Sequence, residues 1–225
     1  MTTTPPSASS DMRQLTALGR RIEDDSFAII DGEVGAHDLP PATWQVVRRV
    51  IHATADFEFR SLMCVHPGAI AAGLAALRSG CNVLVDVKMI AAGVSEERLA
   101  AYGCTLRSYI SDDDVIAAAR AAGSTRAIEA MRKAHRRGEL DGAIVAVGNA
   151  PTALLEVVRL VRDEGARPAL VIGVPVGFVS AAESKEAVLA APVPSIVARG
   201  RKGGSPVAVA VLHALLLLST SPEAA

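Results

Sequence analysis

The feature that most constrains the fold is a set of four short, nearly continuous apolar runs, each bounded by Gly, Pro or a charged residue. Strands of a parallel sheet that is covered on both faces have this pattern, because both of their surfaces are buried. Segments of helical composition separate the runs, so the sheet is predicted to be mostly parallel. The predicted strands are residues 82–87, 142–147, 168–173 and 195–199.

The remaining segments complete this prediction. The predicted helices are residues 12–36, 42–55, 67–80, 112–122, 124–137, 152–164, 181–190 and 205–218. We therefore predict a single three-layer α/β/α domain over residues 13–220, with a helical N-terminal segment. Residues 1–12 have neither the basic start nor the apolar stretch of a signal peptide and are predicted to be a disordered tail.

Composition and motifs exclude several classes of protein. A net charge of -1 and an aromatic content of 3% argue against nucleic-acid binding. The apolar run at 206–218 is too short to span a membrane. Cys64, Cys81 and Cys104 lack the spacing of a zinc site or a disulfide framework, so a reduced, cytoplasmic protein is expected. No P-loop and no GxGxxG motif occurs, and nothing indicates a cofactor or a metal site.

Three of the predicted strands run into Gly-rich loops at 147–152, 173–180 and 199–205, each followed by a helix. Because the carboxyl ends of parallel strands meet at one edge of a sheet, we expect all three loops to face one crevice. Helix N-termini attract anions, and Gly lets the backbone approach a ligand closely. The loops therefore predict a ligand with several negative groups, although tight turns alone also explain Gly and Pro at these positions.

Four cationic side chains accompany these loops: Lys185, Arg199, Arg201 and Lys202. They strengthen the prediction of a polyanionic ligand, since Arg and Lys bind carboxylates and phosphates. A different hypothesis is an enzyme that uses the basic third loop to bind a phosphate or a nucleotide.

His52 is the candidate for proton transfer. The apolar stripe of helix 42–55 consists of Val46, Val47, Val50 and Ile51. His52 lies off this stripe, on a face with charged residues, namely Arg48, Arg49 and Asp56. Its place at a helix C-terminus near Asp56 is expected to favour the protonated form. Such a histidine can donate a proton, and an ordinary surface histidine is the alternative.

The motifs, in their order and spacing, resemble those of the precorrin-8X methylmutase family. The resemblance covers roughly residues 20–218. It is carried in the C-terminal half by segments 148–153, 173–185 and 199–205, and in the N-terminal half by segments 26–27, 49–53, Asp86 with Met89, and 125–126.

This resemblance implies an isomerase of cobalamin biosynthesis that moves a methyl group from C11 to C12 of a polycarboxylate corrinoid. The reaction turns precorrin-8X into hydrogenobyrinate, or cobalt-precorrin-8 into cobyrinate. The resemblance further implies a cofactor-free homodimer with the substrate in a cleft. It implies a 1,5-sigmatropic shift assisted by a histidine that protonates the macrocycle, and the matching residue is His52.

The candidate site follows from the loops and the resemblance together. His52 is the general acid, and Ser26 is expected to bind a side arm of the substrate. The candidate partners of the substrate carboxylates are Arg126, Lys185, Arg199, Arg201 and Lys202. The residues expected to line the cleft with backbone groups are Asn149, Thr152, Gly177, Gly203, Gly204 and Ser205. Arg126 is alternatively an ordinary first-turn residue of its helix.

Three positions depart from the family pattern. Glu23 stands where the family usually has Tyr, Asp31 where an Arg is common, and His66 within a segment that is usually Phe-Ser-Pro. Two of these changes make the charge more negative where an anionic substrate is expected. They motivate an alternative hypothesis, a non-catalytic corrinoid-binding or carrier protein.

Overall fold

A computed structural model describes residues 16–220, which form eleven helices and six strands. The strands are β1 (Met63–Val65), β2 (Asn82–Val85), β3 (Thr105–Arg107), β4 (Ile144–Val147), β5 (Leu170–Gly173) and β6 (Ser195–Ala198). The helices are α1 (Ala17–Val34), α2 (Pro41–Thr54), α3 (Phe59–Leu62), α4 (Ala69–Arg78), α5 (Lys88–Gly93), α6 (Glu96–Ala100), α7 (Asp113–Ala122), α8 (Arg126–Arg136), α9 (Pro151–Asp163), α10 (Ala181–Leu189) and α11 (Ser205–Ser219). The predicted tail at 1–12 lies outside the described residues.

All six strands belong to one sheet with the order β1-β6-β5-β4-β2-β3. Neighbouring strands are parallel except β1, which runs antiparallel to β6. The mostly parallel α/β fold is therefore confirmed. The four predicted strands are the central ones, β2, β4, β5 and β6, whereas the two edge strands were not predicted. Each edge strand has only three residues, which is too short to show a periodic pattern.

Alternating residues of the central strands point into two separate cores, as the geometry of a strand requires. In β4, Ile144 and Ala146 pack into one core, and Val145 and Val147 pack into the other. Residues of α1, α2, α4 and α11 complete the first core, and residues of α8, α9 and α10 complete the second. The three-layer arrangement is thus confirmed, and α1 and α2 belong to the layer that contains α11.

The C-terminal helix α11 is almost entirely buried in the first core, where it packs against α2 and α4. None of the helices among residues 16–220 combines the length and the apolar character that a membrane span needs.

Candidate functional site

The three Gly-rich loops meet at the carboxyl edge of the sheet. We call residues 148–150 the first loop, 174–180 the second loop and 199–204 the third loop. The backbone N–H of Val176 donates to the Gly148 oxygen at 3.4 Å, which joins the first and second loops. The Gly204 N–H donates to the Val174 oxygen at 2.7 Å, and the Gly177 N–H donates to the Arg201 oxygen at 3.1 Å. The predicted convergence of the loops is therefore present.

Two glycines allow this backbone-to-backbone packing. A Cβ atom on Gly203 would lie 2.2 Å from the carbonyl oxygen of Val174, and the φ angle of Gly203 is +156°. A Cβ atom on Gly148 would lie 3.0 Å from the backbone of Ser205. A side chain at Gly203 would collide with the Val174 carbonyl, and one at Gly148 would press on the Ser205 backbone, so both glycines keep the loops close together.

The side chain of Asp86 binds the backbone of the first loop from the protein interior. It follows β2 directly, is fully buried, and accepts hydrogen bonds from the backbone N–H groups of Gly148, Asn149 and Ala150 at 3.0, 2.9 and 2.7 Å. Burial raises the pKa of its carboxyl, while the three backbone donors act in the opposite direction. The N–H groups that were expected to attract a substrate anion therefore already hold a carboxylate of the chain itself.

Lys185 is fully buried beneath the third loop. Its ammonium donates to the backbone oxygens of Gly200 and Lys202 at 2.8 and 2.7 Å. Burial lowers its pKa to about 8, because water no longer solvates the charge. In this geometry Lys185 holds the third loop through these two backbone oxygens.

The other cations of the third loop differ in their surroundings. Arg199 has a half-exposed side chain that lies 3.2 Å from the exposed Glu186. The Arg201 guanidinium lies 5.4 Å from the centre of the Phe178 ring, and Phe178 is 83% exposed. Lys202 forms ion pairs with Asp56 at 2.5 Å and Glu58 at 2.9 Å. The two arginines therefore offer the more accessible positive charges of this loop.

The remaining cleft residues lie at helix starts or beside Phe27. Arg126 begins α8 with an exposed side chain, and Thr125, the N-cap of α8, has its hydroxyl 3.1 Å from that of Thr152 in α9. The start of α8 thus lies next to the start of α9. Asn149 is exposed, whereas Ser205 is buried at the start of α11. The N–H groups of Gly177 and Gly204 donate to backbone oxygens of neighbouring loops.

His52 lies in the last turn of α2 with an exposed side chain. Its ring centre is 5.1 Å from that of Phe27 in α1. The guanidinium groups of Arg48 and Arg49 lie 4.5 and 5.3 Å from the same Phe27 ring. The four residues of the predicted apolar stripe are all buried, which confirms that His52 faces away from the core. Ser26 precedes Phe27, and its hydroxyl donates to the Ile22 oxygen at 2.7 Å.

The expectation that Asp56 shares a helical face with His52 is wrong. The helix α2 ends at Thr54, and Ala55 takes the left-handed conformation with φ at 52°, so the chain leaves the helix before Asp56. The Asp56 carboxylate accepts a hydrogen bond from Lys202, which lowers the pKa of Asp56 and raises that of Lys202.

The two acidic departures from the family pattern are both paired. Glu23 is buried and binds the Arg49 guanidinium at 2.8 Å. Asp31 binds Arg48 at 2.7 Å and also accepts a hydrogen bond from the Trp44 ring nitrogen at 3.0 Å. Their negative charges are therefore balanced within the layer formed by α1 and α2. The third departure, His66, is exposed, and its Nδ1 accepts a hydrogen bond from the Gly68 N–H.

Sequence reasoning missed the structural roles of Asp86 and Lys185. For Asp86 the signal is an acidic residue at the carboxyl end of a buried strand, because ligands and loops meet at that edge of a parallel sheet. For Lys185 the signal is its spacing from Ala181 and Val188, which places it on the buried face of α10. Among residues 16–220, no group of three or more His, Cys, Asp or Glu side chains is arranged to hold a metal ion.

Comparison with known proteins gives consistent results. The precorrin-8X methylmutase family profile matches residues 21–218. A cobalt-precorrin-8 methylmutase from Leptospira interrogans is 54% identical over 215 residues, which are 93% of this chain and 98% of that protein. A protein of the same name from Priestia megaterium is 48% identical over 212 residues, or 94% and 93% of the two chains.

A crystal structure of a precorrin-8X methyl mutase from Thermus thermophilus superposes with a TM-score of 0.84 and 52% identity. The match covers 90% of this chain and 97% of that one.

The fold and the site define a three-layer α/β protein with three interlocked loops, one of them rich in cationic side chains, at the carboxyl edge of its sheet. The chain belongs to the precorrin-8X methylmutase family. It is thus an intramolecular methyl-shifting isomerase of cobalamin biosynthesis.

Proposed function

We propose that this enzyme moves the methyl group from C11 to C12 of the corrin ring with His52 as the proton donor to the macrocycle. The observation that carries this proposal is the exposed His52 ring at the end of α2, close in sequence to Asp56, which binds the cationic third loop. A protonated imidazole stabilises the charge that develops in the ring during the shift and recovers its proton afterwards. Substrate and product have the same mass, because the methyl group stays on the molecule.

The protein's main contribution is orientation. Several carboxylate arms bound at once hold the macrocycle in one position, which lowers the entropic part of the barrier. We propose that Arg126, Arg199 and Arg201 bind these arms directly, since their side chains are exposed and guanidinium groups match carboxylates bidentately. Gly203, Ser205 and Thr152 shape the cleft, Asn149 offers an exposed amide, and Ser26 contacts an arm near His52. Lys185 and Lys202 act through the loop that they hold.

The names of the Leptospira and Priestia relatives favour the cobalt-containing substrate for this chain. We therefore expect conversion of cobalt-precorrin-8 to cobyrinate at a higher kcat/KM than conversion of precorrin-8X to hydrogenobyrinate. Purified enzyme incubated with each compound, followed by visible spectrum and product mass, tests this order. Conversion at unchanged mass supports the proposal, whereas binding of both compounds without conversion supports a carrier protein.

His52→Ala tests the proton donor. We expect kcat to fall about 100-fold or more, the range for loss of a general acid, while the variant still binds the product. His66→Ala is the matched control, because His66 is also exposed and lies outside the three loops; it is expected to keep full activity. A His52→Ala enzyme with normal turnover contradicts the assignment.

We also propose that the enzyme works as a homodimer in the cytoplasm. One face of α1 exposes three large apolar residues to solvent: Leu18, Ile22 and Ile29 are 69%, 57% and 61% exposed. Apolar stripes of this kind mark contact surfaces. Ile22→Glu is expected to halve the mass measured by light scattering, from twice 23.3 kDa to 23.3 kDa. Leu155→Glu, at a residue 38% exposed on α9, is the control. A wild-type protein that is monomeric overturns this part of the proposal.

A further inference from the structure

The third loop is attached to the segment that follows the His52 helix by contacts that span the chain. The Lys202 ammonium binds Asp56 at 2.5 Å and Glu58 at 2.9 Å, and the backbone N–H of Arg199 donates to the Leu62 oxygen at 2.8 Å. Lys202 and Asp56 are 146 positions apart in the sequence. The cationic loop is therefore anchored to residues 56–62 at two points, Arg199 and Lys202.

Asp56 is itself held in place. Its Oδ1 accepts a hydrogen bond from the Glu58 N–H at 3.0 Å, and its own N–H donates to the Thr54 hydroxyl at 3.3 Å. The Ala55 N–H donates to the Ile51 oxygen at 2.7 Å, which continues the hydrogen bonding of α2 into the turn. The carboxylate thus has a defined position relative to the last turn of α2, where His52 lies.

Both the side chain and the backbone oxygen of Lys202 are bound by other residues. Its side chain binds two carboxylates, and its backbone oxygen accepts a hydrogen bond from the buried Lys185. Two of the three N–H donors of the ammonium are therefore directed at carboxylates of the chain itself. Arg199 and Arg201, in the same loop, are free of such a double pairing among the described residues.

We infer that Asp56 and Lys202 are positioning residues, whose ion pair sets the distance between His52 and the arginines that bind the substrate arms. This inference rests on the proposed function. It assigns Lys202 to the alignment of the third loop with α2 and not to direct contact with the substrate. Misplacement of a reacting group by about 1 Å can cost up to about 100-fold in rate, so this alignment affects kcat more than binding.

The experiment measures three variants: Asp56→Asn, Lys202→Met and the double variant that carries both changes. Each is compared with the control variant Glu58→Gln. Glu58 is the matched control, because it binds the same ammonium from a side chain that is 68% exposed. We expect kcat to fall about tenfold in each of the first two variants, with KM nearly unchanged. The double variant is expected to be no worse than either single variant, since both remove one interaction. Glu58→Gln is expected to stay within about twofold of wild type.

Hydrogen exchange of the third-loop amides is the second readout, and it does not depend on activity. Faster exchange is expected in Asp56→Asn and Lys202→Met but not in Glu58→Gln. Unchanged exchange in the first two variants overturns the inference. So does a Lys202→Met enzyme with raised KM and normal kcat, which identifies Lys202 as a direct substrate ligand. A wild-type enzyme that converts neither substrate overturns the proposed function and with it the catalytic part of this inference.

Discussion

The layer of α1 and α2 and the edge formed by the three loops are held together in different ways. Ion pairs between side chains, Glu23 with Arg49 and Asp31 with Arg48, join the two helices. The loops are joined by backbone hydrogen bonds, by close approach at glycines, and by the buried groups of Asp86 and Lys185. Side-chain pairs can be exchanged for other pairs, whereas the close approach of the backbone at Gly203 requires glycine. Glu23 and Asp31, the two acidic departures from the family pattern, both lie in the layer of α1 and α2, where side-chain pairs can be exchanged.

Among variants that test this difference between the loops and the helical layer, Gly203→Ala is expected to lower the free energy of unfolding most. The new methyl group would lie 2.2 Å from the Val174 oxygen, so the loops must separate, and the free energy of unfolding is expected to fall by about 3 kcal/mol or more. Gly200→Ala is the control, with φ at +75° but nothing within 4 Å of the added atom, and is expected to cost about 1 kcal/mol. Urea denaturation measures both, and equal losses would contradict the role of the close approach.

Lys185→Met tests the buried charge through its pH dependence. The pKa of Lys185 is about 8 in the folded protein, below the ordinary value of 10.5. Between these two values the unfolded chain binds more protons, so raising the pH stabilises the wild type relative to the variant. We expect a relative gain of about 2 kcal/mol from pH 8 to pH 10.5.

Thermal or chemical denaturation across this pH range measures the gain. Lys202→Met serves as the control, because its ion pairs raise the pKa of Lys202, and no such gain is expected there. If the difference in unfolding free energy between wild type and Lys185→Met does not change with pH, the Lys185 ammonium is solvated in the folded protein.

The smallest effects are expected in the helical layer. The side chains of Glu23 and Arg49 are 7% and 15% exposed, whereas those of Asp31 and Arg48 are 43% and 25% exposed. Glu23→Gln is expected to cost about 1–2 kcal/mol, because it leaves a mostly buried guanidinium without its carboxylate. Asp31→Asn is expected to cost about 0.5 kcal/mol. Urea denaturation of the two variants side by side decides the order, and a larger loss for Asp31→Asn would reverse it.

The same division explains what the sequence allowed us to predict. The central strands and long helices have continuous or periodic apolar patterns, and the convergence of the loops follows from parallel strands alone. The short elements β1, β3, α5 and α6 have three to six residues and carry no period. Contacts between distant segments were not predictable, among them Asp86 with the first loop and Lys202 with Asp56, which are 62 to 64 and 146 positions apart.

The carboxylate that fills the first loop also affects which molecules compete for the crevice. Inorganic phosphate and nucleotides are abundant in cells, and free N–H groups at a helix N-terminus are a common place for them to bind. In the loop before α9, the N–H groups of Gly148, Asn149 and Ala150 are bound by Asp86, which cannot diffuse away. Phosphate and nucleotides therefore cannot use these three N–H groups, and at this loop they do not compete with the substrate.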